Sequence, residues 1–367
     1  MSALLFYLFV ITIAVQLIYI WVLFGRAAFQ KDELATDRRL PVSVIVAARN
    51  EFENLQTLIP ALLEQDYPNY EIIIVDDKSD DTTYDFLLEI QAKYDRIKLV
   101  RINHTPEHLN SKKYALTLGI KAAKHEVVLL TDADCVPLSK QWIAEMTKHY
   151  QKGKDIVIGL SPYQKRKGLL NKIIRYETFY VAIQYLSMAL WGKPYMGVGR
   201  NLSYKKNLFF ANKGFHSHRN TTGGDDDLFI SEVATGKNTA IAFVQEAQTE
   251  SIPKIRWKDW YKQKVRHLSV SKQYKLSDKI ILGLMNLSHA NSYIFLGLGY
   301  LAGVNHWVLL GGYGIRIISL LTLFYLFNKK FRQDIEIYLV PLFDILYIFY
   351  YIFVSTKAYS TKKVAWK

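Results

Sequence analysis

The chain has 367 residues, half of them hydrophobic, which is enough for one large core or two small ones. Its net charge of +14 would suit nucleic acid, but the basic residues gather in "KRKGLLNKIIR" and "KIRWKDWYKQKVRH", interleaved with Trp, Leu, Ile and Tyr. That mixture favours anionic lipid headgroups and argues against nucleic acid, while the single cysteine, Cys135, excludes an internal disulfide and a cysteine metal cage.

In chain order, residues 4–23 form a nearly uncharged run of spanning length, followed by Arg26, Lys31, Arg38 and Arg39 and preceded by no basic residue. This predicts an uncleaved anchor over residues 1–25, with its N-terminus outside and the next segment of the chain in the cytoplasm. From Pro41 the pattern alternates. "VSVIVAA", "EIIIVDD", "IKLVRI", "EVVLLTDAD" and "DIVIGLSPY" read as strands; "NLQTLIPALLEQ", "TTYDFLLEIQAKY", "KKYALTLGIKAA" and "SKQWIAEMTKHY" read as the helices between them. Val/Ile/Leu-rich strands separated by amphipathic helices predict an α/β fold, a mostly parallel sheet with helices on both faces, over residues 41–255.

Residues 256–278 come next as an interfacial region. If "WKDWYKQKVRHLS" is helical, Trp257, Trp260, Tyr261, Val265 and Leu268 share a face suited to the bilayer, and Gln263 and Arg266 lie opposite. Residues 279–356 hold apolar segments at 280–304, 307–327 and 335–354, and a basic tail occupies 357–367. Three crossings there would put Lys357, Lys362, Lys363 and Lys367 outside. Pro341 and Asp344 near the centre of the last segment instead predict a re-entrant or in-plane hairpin that keeps the tail, and the loop of Lys329, Lys330 and Arg332, inside.

In parallel sheets of this kind ligands bind beyond the carboxyl ends of the strands, where "AARNE", "VDDKSDD" and "TDAD" converge. Any one of these also suits a turn or helix cap, and Asp80 and Ser139 fit that role. Neither GxxxxGK[ST] nor a GxGxxG after the first strand is present. A nucleotide would therefore be held by carboxylates through a bridging cation, and Asp132 and Asp134 are hard ligands suited to Mg²⁺ or Mn²⁺. The three acids of "GGDDDLF" leave open a metal cluster, a solvated helix N-terminus, or a phosphohydrolase site with His216 and His218.

These motifs together resemble the family-2 glycosyltransferases, inverting enzymes of the GT-A fold that use nucleotide sugars, over about residues 42–269. "VIVAARNE" resembles the nucleotide-contacting turn, here Ala48, Arg49 and Glu51, with Arg49 where an aromatic is usual. "VDDKSDDTT" nominates Asp77 against the base, and "SKKYALTLGI" supplies Lys112, with Ser111 in place of glycine. "TDAD" matches the metal motif, Asp132 and Asp134; "GGDDDLF" resembles the motif of the catalytic base, Asp226 with Asp225 beside it, after the acceptor-side segment "GVGRNLSYKKNLFFANKGF". "QKVRH" resembles the Gln-x-x-Arg-Trp motif of membrane-bound members, giving Gln263, Arg266 and His267, with histidine where tryptophan is usual.

The resemblance implies metal-dependent inverting transfer from a nucleotide-diphosphate sugar, a UDP-sugar, to a hydroxyl of a lipid or lipid-linked glycan. It implies an inner or plasma membrane location with the catalytic domain in the cytoplasm. Two alternatives stand beside it, a non-catalytic nucleotide-sugar-binding membrane subunit and a processive polysaccharide synthase.

Overall fold

A computed structural model of the chain describes residues 2–31, 39–107 and 109–361; Arg38 and the tail lysines Lys362, Lys363 and Lys367 lie outside them. The strands are β1 (Val42–Ala48), β2 (Tyr70–Asp77), β3 (Ile97–Ile102), β4 (Val127–Asp132), β5 (Cys135–Pro137), β6 (Ile156–Gly159), β7 (Leu202–Lys205), β8 (Thr239–Ala242) and β9 (Thr249–Ser251). Seven of them form one sheet in the order β3-β2-β1-β4-β7-β6-β8, with β5 and β9 paired separately. Only β7 runs against its neighbours in the large sheet, so the expected parallel run from β1 to β4 holds and the chain reaches β6 across an antiparallel strand.

The helices are α1 (Ser2–Leu17) and α2 (Gly25–Phe29), continuous through the π-turn Ile18–Phe24, then α3 (Phe52–Leu63), α4 (Thr83–Lys93), α5 (Ser111–Ala122), α6 (Trp142–Thr147), α7 (Leu169–Leu190), α8 (Lys206–Ala211), α9 (Asp227–Val233), α10 (Trp257–Val270), α11 (Leu276–Leu301), α12 (His306–Lys330) and α13 (Val340–Ser360). Strand alternation splits the core between the two faces of the sheet. Val42, Val44 and Val46 of β1 pack with Leu55 and Leu58 of α3, Leu87 of α4 and Trp142 of α6. Ile45 packs on the other face with Leu116 and Ile120 of α5 and with α7. Gly119 permits this, since a Cβ there would sit 2.6 Å from Ile45.

Helix α7 has no counterpart among the sequence-read elements. It is buried nearly all round, so its sequence lacks the one-sided periodicity that marks an amphipathic helix. Through it the α/β body meets the apolar helices, because α2 and α13 both pack against it.

Among the described residues three helical stretches are long and apolar enough to cross a membrane, Ser2–Phe29, His306–Lys330 and Ile337–Ser360. The expected apolar segment at 280–304 falls within α11 but is not one of the three, because Asn286, Ser288, His289, Asn291 and Ser292 dilute its hydropathy. Helix α11 nevertheless packs along α1, where Gln16 donates to Ser288 Oγ at 2.8 Å. At the end remote from the α/β body, Phe9 and Ile13 meet Val304 and Leu309. At the near end, Lys330 donates to the carbonyl of Ala27 and Arg332 pairs with Glu246 at 3.2 Å.

The final segment is an unbroken helix, which corrects the hairpin alternative; Pro341 sits in its first turn, where a missing N–H costs nothing. One end of α13 touches the α/β body and the other touches the segment after α10. Glu336, just before it, pairs with Arg175 of α7 at 3.6 Å, and near its other end Lys272, just after α10, donates to Tyr359 O at 2.8 Å. Its outer side exposes Leu342, Ile345, Leu346, Phe349, Ile352 and Phe353. Its inner side carries Asp344, bonded to Arg316 of α12 at 2.7 Å and His289 of α11 at 3.0 Å, all three buried.

Helix α10 also departs from expectation. Trp260 stacks on Tyr350 with ring centroids 5.3 Å apart, and Val265 and Leu268 pack with Val354 and Ala358. The face expected to lie on the bilayer is therefore largely covered by α13, leaving Trp257 and Tyr261 exposed.

Candidate active site

One cavity of about 960 Å³ opens at the carboxyl end of the strands. Ala48, Arg49, Glu51, Asp77, Lys112, Asp132, Asp134, Asp225, Asp226, Gln263, Arg266 and His267 all line it, so the fold gathers every sequence-nominated site residue around one space.

The turn after β1 is held by the loop after β2. Asn50 N donates to Ser79 Oγ, Asp80 N to Asn50 Oδ1, and Glu51 N to Thr83 Oγ1, each at 3.0 Å. Asp80 therefore uses its backbone in this lock, while Ser139 Oγ accepts from Gln141 N ahead of α6. Asp77 is buried, with Lys78 at 3.6 Å, and accepts a hydrogen bond from Ser111 Oγ. The serine that replaces glycine thus orients this carboxylate.

Lys112, at the start of α5, joins the two acidic motifs: its ammonium lies 3.0 Å from Asp132 and 3.1 Å from Asp225. Burial opposes its charge, but Asp132, Asp225 and Asp226 outweigh burial and raise its pKa, keeping it cationic. Asp134, two residues on from the end of β4, has its pKa raised by burial and by repulsion from Asp132 and Glu51. Two acidic oxygen donors that repel each other fit a hard divalent cation, which would relieve that repulsion. Among the described residues no third His, Cys or acidic side chain completes such a site, leaving coordination positions for a diphosphate.

The three acids of "GGDDDLF" occupy different surroundings. Gly223 and Gly224 precede them with φ of +84° and +78°, and a Cβ on Gly224 would lie 2.7 Å from Leu228, so this turn requires glycine. Asp225 is ion-paired to Lys112; burial works to raise its pKa, but Lys112 prevails and holds it below the ordinary carboxylate value. Asp227 accepts from Tyr274 Oη at 2.8 Å. Among the described residues Asp226 instead accepts backbone N–H groups, from Gly199 at Oδ2 and from Asp227 at Oδ1, both at 2.8 Å. Burial first, then the neighbouring Asp225 charge, raise the Asp226 pKa. Each of its oxygens keeps a lone pair, and the raised pKa makes it a stronger base than Asp225; burial and the Asp226 charge raise Asp227 further, but that carboxylate is engaged by Tyr274.

His216 and His218 do not line the cavity. His218 is buried with Ser217 Oγ at 2.8 Å and Glu232 at 3.3 Å, an arrangement that belongs to the loop and not to a hydrolase centre. On α10, Gln263 donates to Tyr163 Oη at 3.3 Å, and Arg266 and His267 face the cavity as the helix reading requires. His267 is exposed on the cavity wall, where desolvation by the surrounding protein, then the charges of Arg266, Lys264, Arg200 and Lys112, lower its pKa from the usual imidazole value.

Sequence reasoning missed Arg200, Lys254 and the buried Lys264–Glu177 pair, which also line the cavity. The Arg200 guanidinium lies over the Tyr163 ring at 4.4 Å, and its charge, with that of Lys254, partly offsets the repulsion at Asp134. Arg200 stood within the acceptor-side segment but matched no motif residue.

Comparison with known proteins agrees with this geometry. Residues 43–213 match the profile of Glycosyl transferase family 2. The probable glycosyltransferase YdaM of Bacillus subtilis is 27% identical over 242 residues, which cover 62% of this chain and 55% of that protein. Beta-monoglucosyldiacylglycerol synthase of Trichormus variabilis is 29% identical over 172 residues, 46% of this chain and 34% of that protein. The chain thus spans about half the length of the first of these relatives and a third of the second. The mannosyltransferase PcManGT from Pyrobaculum calidifontis, solved in complex with GDP-Man and Mn²⁺, superposes with a TM-score of 0.62 at 17% identity over 99% of each chain, so the two share a fold from end to end. With its mostly parallel sheet, its convergent acidic strand ends and these relatives, the chain is a glycosyltransferase of GT-A-like fold that carries a Glycosyl transferase family 2 domain over residues 43–213.

Proposed function

We propose that the protein transfers a sugar, with inversion, from a nucleoside-diphosphate donor such as a UDP-sugar to a hydroxyl of a membrane-associated acceptor. The observation that carries this reading is Asp226, a half-buried carboxylate that among the described residues accepts hydrogen bonds from backbone N–H groups alone, on the wall of the cavity that also holds Asp132 and Asp134. Arg49, Glu51 and Asp77 would bind the nucleoside. A divalent cation held by Asp132 and Asp134 would neutralise charge on the departing diphosphate. Arg266 and Lys112 add fixed positive charge on the same side. Asp226 takes the proton of the acceptor hydroxyl as its oxygen bonds to the anomeric carbon and the bond to the phosphate oxygen breaks, so one displacement inverts the centre. Retention of all the proposed metal and base carboxylates disfavours a non-catalytic subunit.

The test is calorimetric titration of the purified protein with UDP and GDP, with Mn²⁺ or in EDTA, alongside donor cleavage across a panel of nucleotide sugars. Binding and cleavage are both expected to need the cation, since the carboxylates and the diphosphate repel without it. Tight nucleotide binding unchanged in EDTA would contradict the metal assignment.

We further propose that residues 41–255 form the transferase domain on the cytoplasmic face, anchored by residues 1–25. Helices α1, α11 and α12 cross the bilayer, and α13 lies in the plane of the membrane beneath the domain. Contacts of α13 to α7 at one end and to the segment after α10 at the other, and its outward apolar side, support this arrangement. Cys135 is buried, leaving a clean background for impermeant thiol labelling. In intact cells, Asn305→Cys should label from outside, while His104→Cys and Ser360→Cys should be protected. Outside labelling of Ser360→Cys would make α13 a crossing helix.

A further inference from the structure

Helix α10 brings Arg266 to the cavity, and its near neighbour Lys264 meets a carboxylate that the proposed transfer does not use. Glu177 of α7 is buried at the cavity edge, where Oε2 takes the Lys264 ammonium and Oε1 accepts from Tyr350 Oη of α13 at 3.2 Å. One side chain therefore holds three helices: its own, α10 and α13. Beside it Trp260 packs against Ile174 of α7 and stacks on Tyr350, and Gln263 donates to Tyr163 Oη at 3.3 Å. These contacts bring α10 close without a charge between them.

A buried ammonium and carboxylate stabilise a fold little more than an apolar pair of similar size would, so stability alone does not account for this pair. Its place on the helix does. At about 100° per residue, Lys264 and Arg266 stand about 160° apart on α10, at the two edges of the arc that carries Gln263 and His267 into the cavity. A roll of α10 that draws Lys264 away from Glu177 swings Arg266 by the same angle. A charge-assisted hydrogen bond resists that roll more sharply than apolar packing, because it depends on direction as well as on distance. We infer that Glu177 is a positioning residue for the transfer: through Lys264 it fixes the roll of α10 that aims Arg266 at the departing diphosphate, and Tyr350 holds the carboxylate in place. The inference rests on the transferase reading above and on the role given there to Arg266.

Donor cleavage is measured on full-length protein in detergent, with a nucleotide sugar that the wild type cleaves. Glu177→Gln and Lys264→Met should each lower kcat about tenfold or more and change the donor KM less than about threefold, since a misplaced Arg266 is felt as the bond to phosphate breaks. In an Arg266→Ala background the same substitutions should cost nothing further, because Glu177 acts through that guanidinium. Glu177→Leu combined with Lys264→Met separates position from stability: it should recover the Tm that either single change loses and leave kcat low. A cooperative melt reports whether each variant is folded. Tyr350→Phe, which keeps the ring against Trp260 and loses the bond to Glu177, should lower kcat about threefold, and it decides if the other variants do not fold. Wild-type kcat in the folded variants overturns the inference. So do losses that add to that of Arg266→Ala, or recovery of kcat along with Tm in the apolar pair. Wild-type cleavage by Arg266→Ala refutes instead the role given to Arg266, and failure to cleave any nucleotide sugar refutes the transferase reading; the inference falls with either.

Discussion

Asp226→Asn should bind donor and cation as the wild type does while losing about 10² to 10⁴-fold in transfer, the range expected on removing a general base. Both Asp226 oxygens accept backbone N–H groups, so the asparagine amide must point its own N–H₂ at Gly199 N or Asp227 N. That mismatch costs about 1–3 kcal/mol, and it will appear as reduced thermal stability with no loss of nucleotide affinity. The neighbouring acids give different outcomes. Asp225→Asn takes from Lys112 one of its carboxylate partners and should weaken both donor binding and transfer. Asp227→Asn still accepts from Tyr274 and should transfer at close to the wild-type rate. Steady-state rates and UDP titrations on the three variants check this pattern. Wild-type transfer by Asp226→Asn would remove it as the base.

Asp344→Leu is expected to destabilise the protein by about 3–5 kcal/mol, because it strands Arg316 and His289 in an apolar setting without their shared carboxylate. Thermal unfolding in detergent should show a large drop in Tm. Adding Arg316→Met should recover much of it, since an apolar pair in place of a buried ion pair is often neutral. An Asp344→Leu protein as stable as wild type would mean that the cluster does not hold α13 in place.

The β-strands that build the site were legible because Val and Ile runs ending in Asp or Asn are a local signal, and "VDD" and "TDAD" lie at the ends of β2 and β4 as their sequences require. The link between the motifs was not. Lys112 reads as one cation at a helix start, and only the approach of α5 to both β4 and the turn before α9 makes it the bridge between Asp132 and Asp225. The roles within "GGDDDLF" were equally hidden, because three adjacent acids are distinguished only by Lys112, Tyr274 and the Gly199 amide, all distant in sequence. Helix α7 escaped because burial on every side erases periodicity. The apolar face of α10 was read correctly as apolar, but hydropathy does not say whether lipid or another helix covers it, and here it is α13. Pro341 and Asp344 suggested a hairpin in the last segment, but Pro341 only opens a continuous helix and Asp344 is accounted for by its buried ion pair.

The central claim is a single displacement at the anomeric carbon with Asp226 as the base. It is tested most directly by proton NMR of the product formed from an α-linked nucleotide sugar, read at the H1–H2 coupling of the transferred residue before the anomers equilibrate. A β-linked product is the result predicted. An α-linked product would require two displacements or front-side attack, and would contradict the roles assigned to Asp226 and its neighbours.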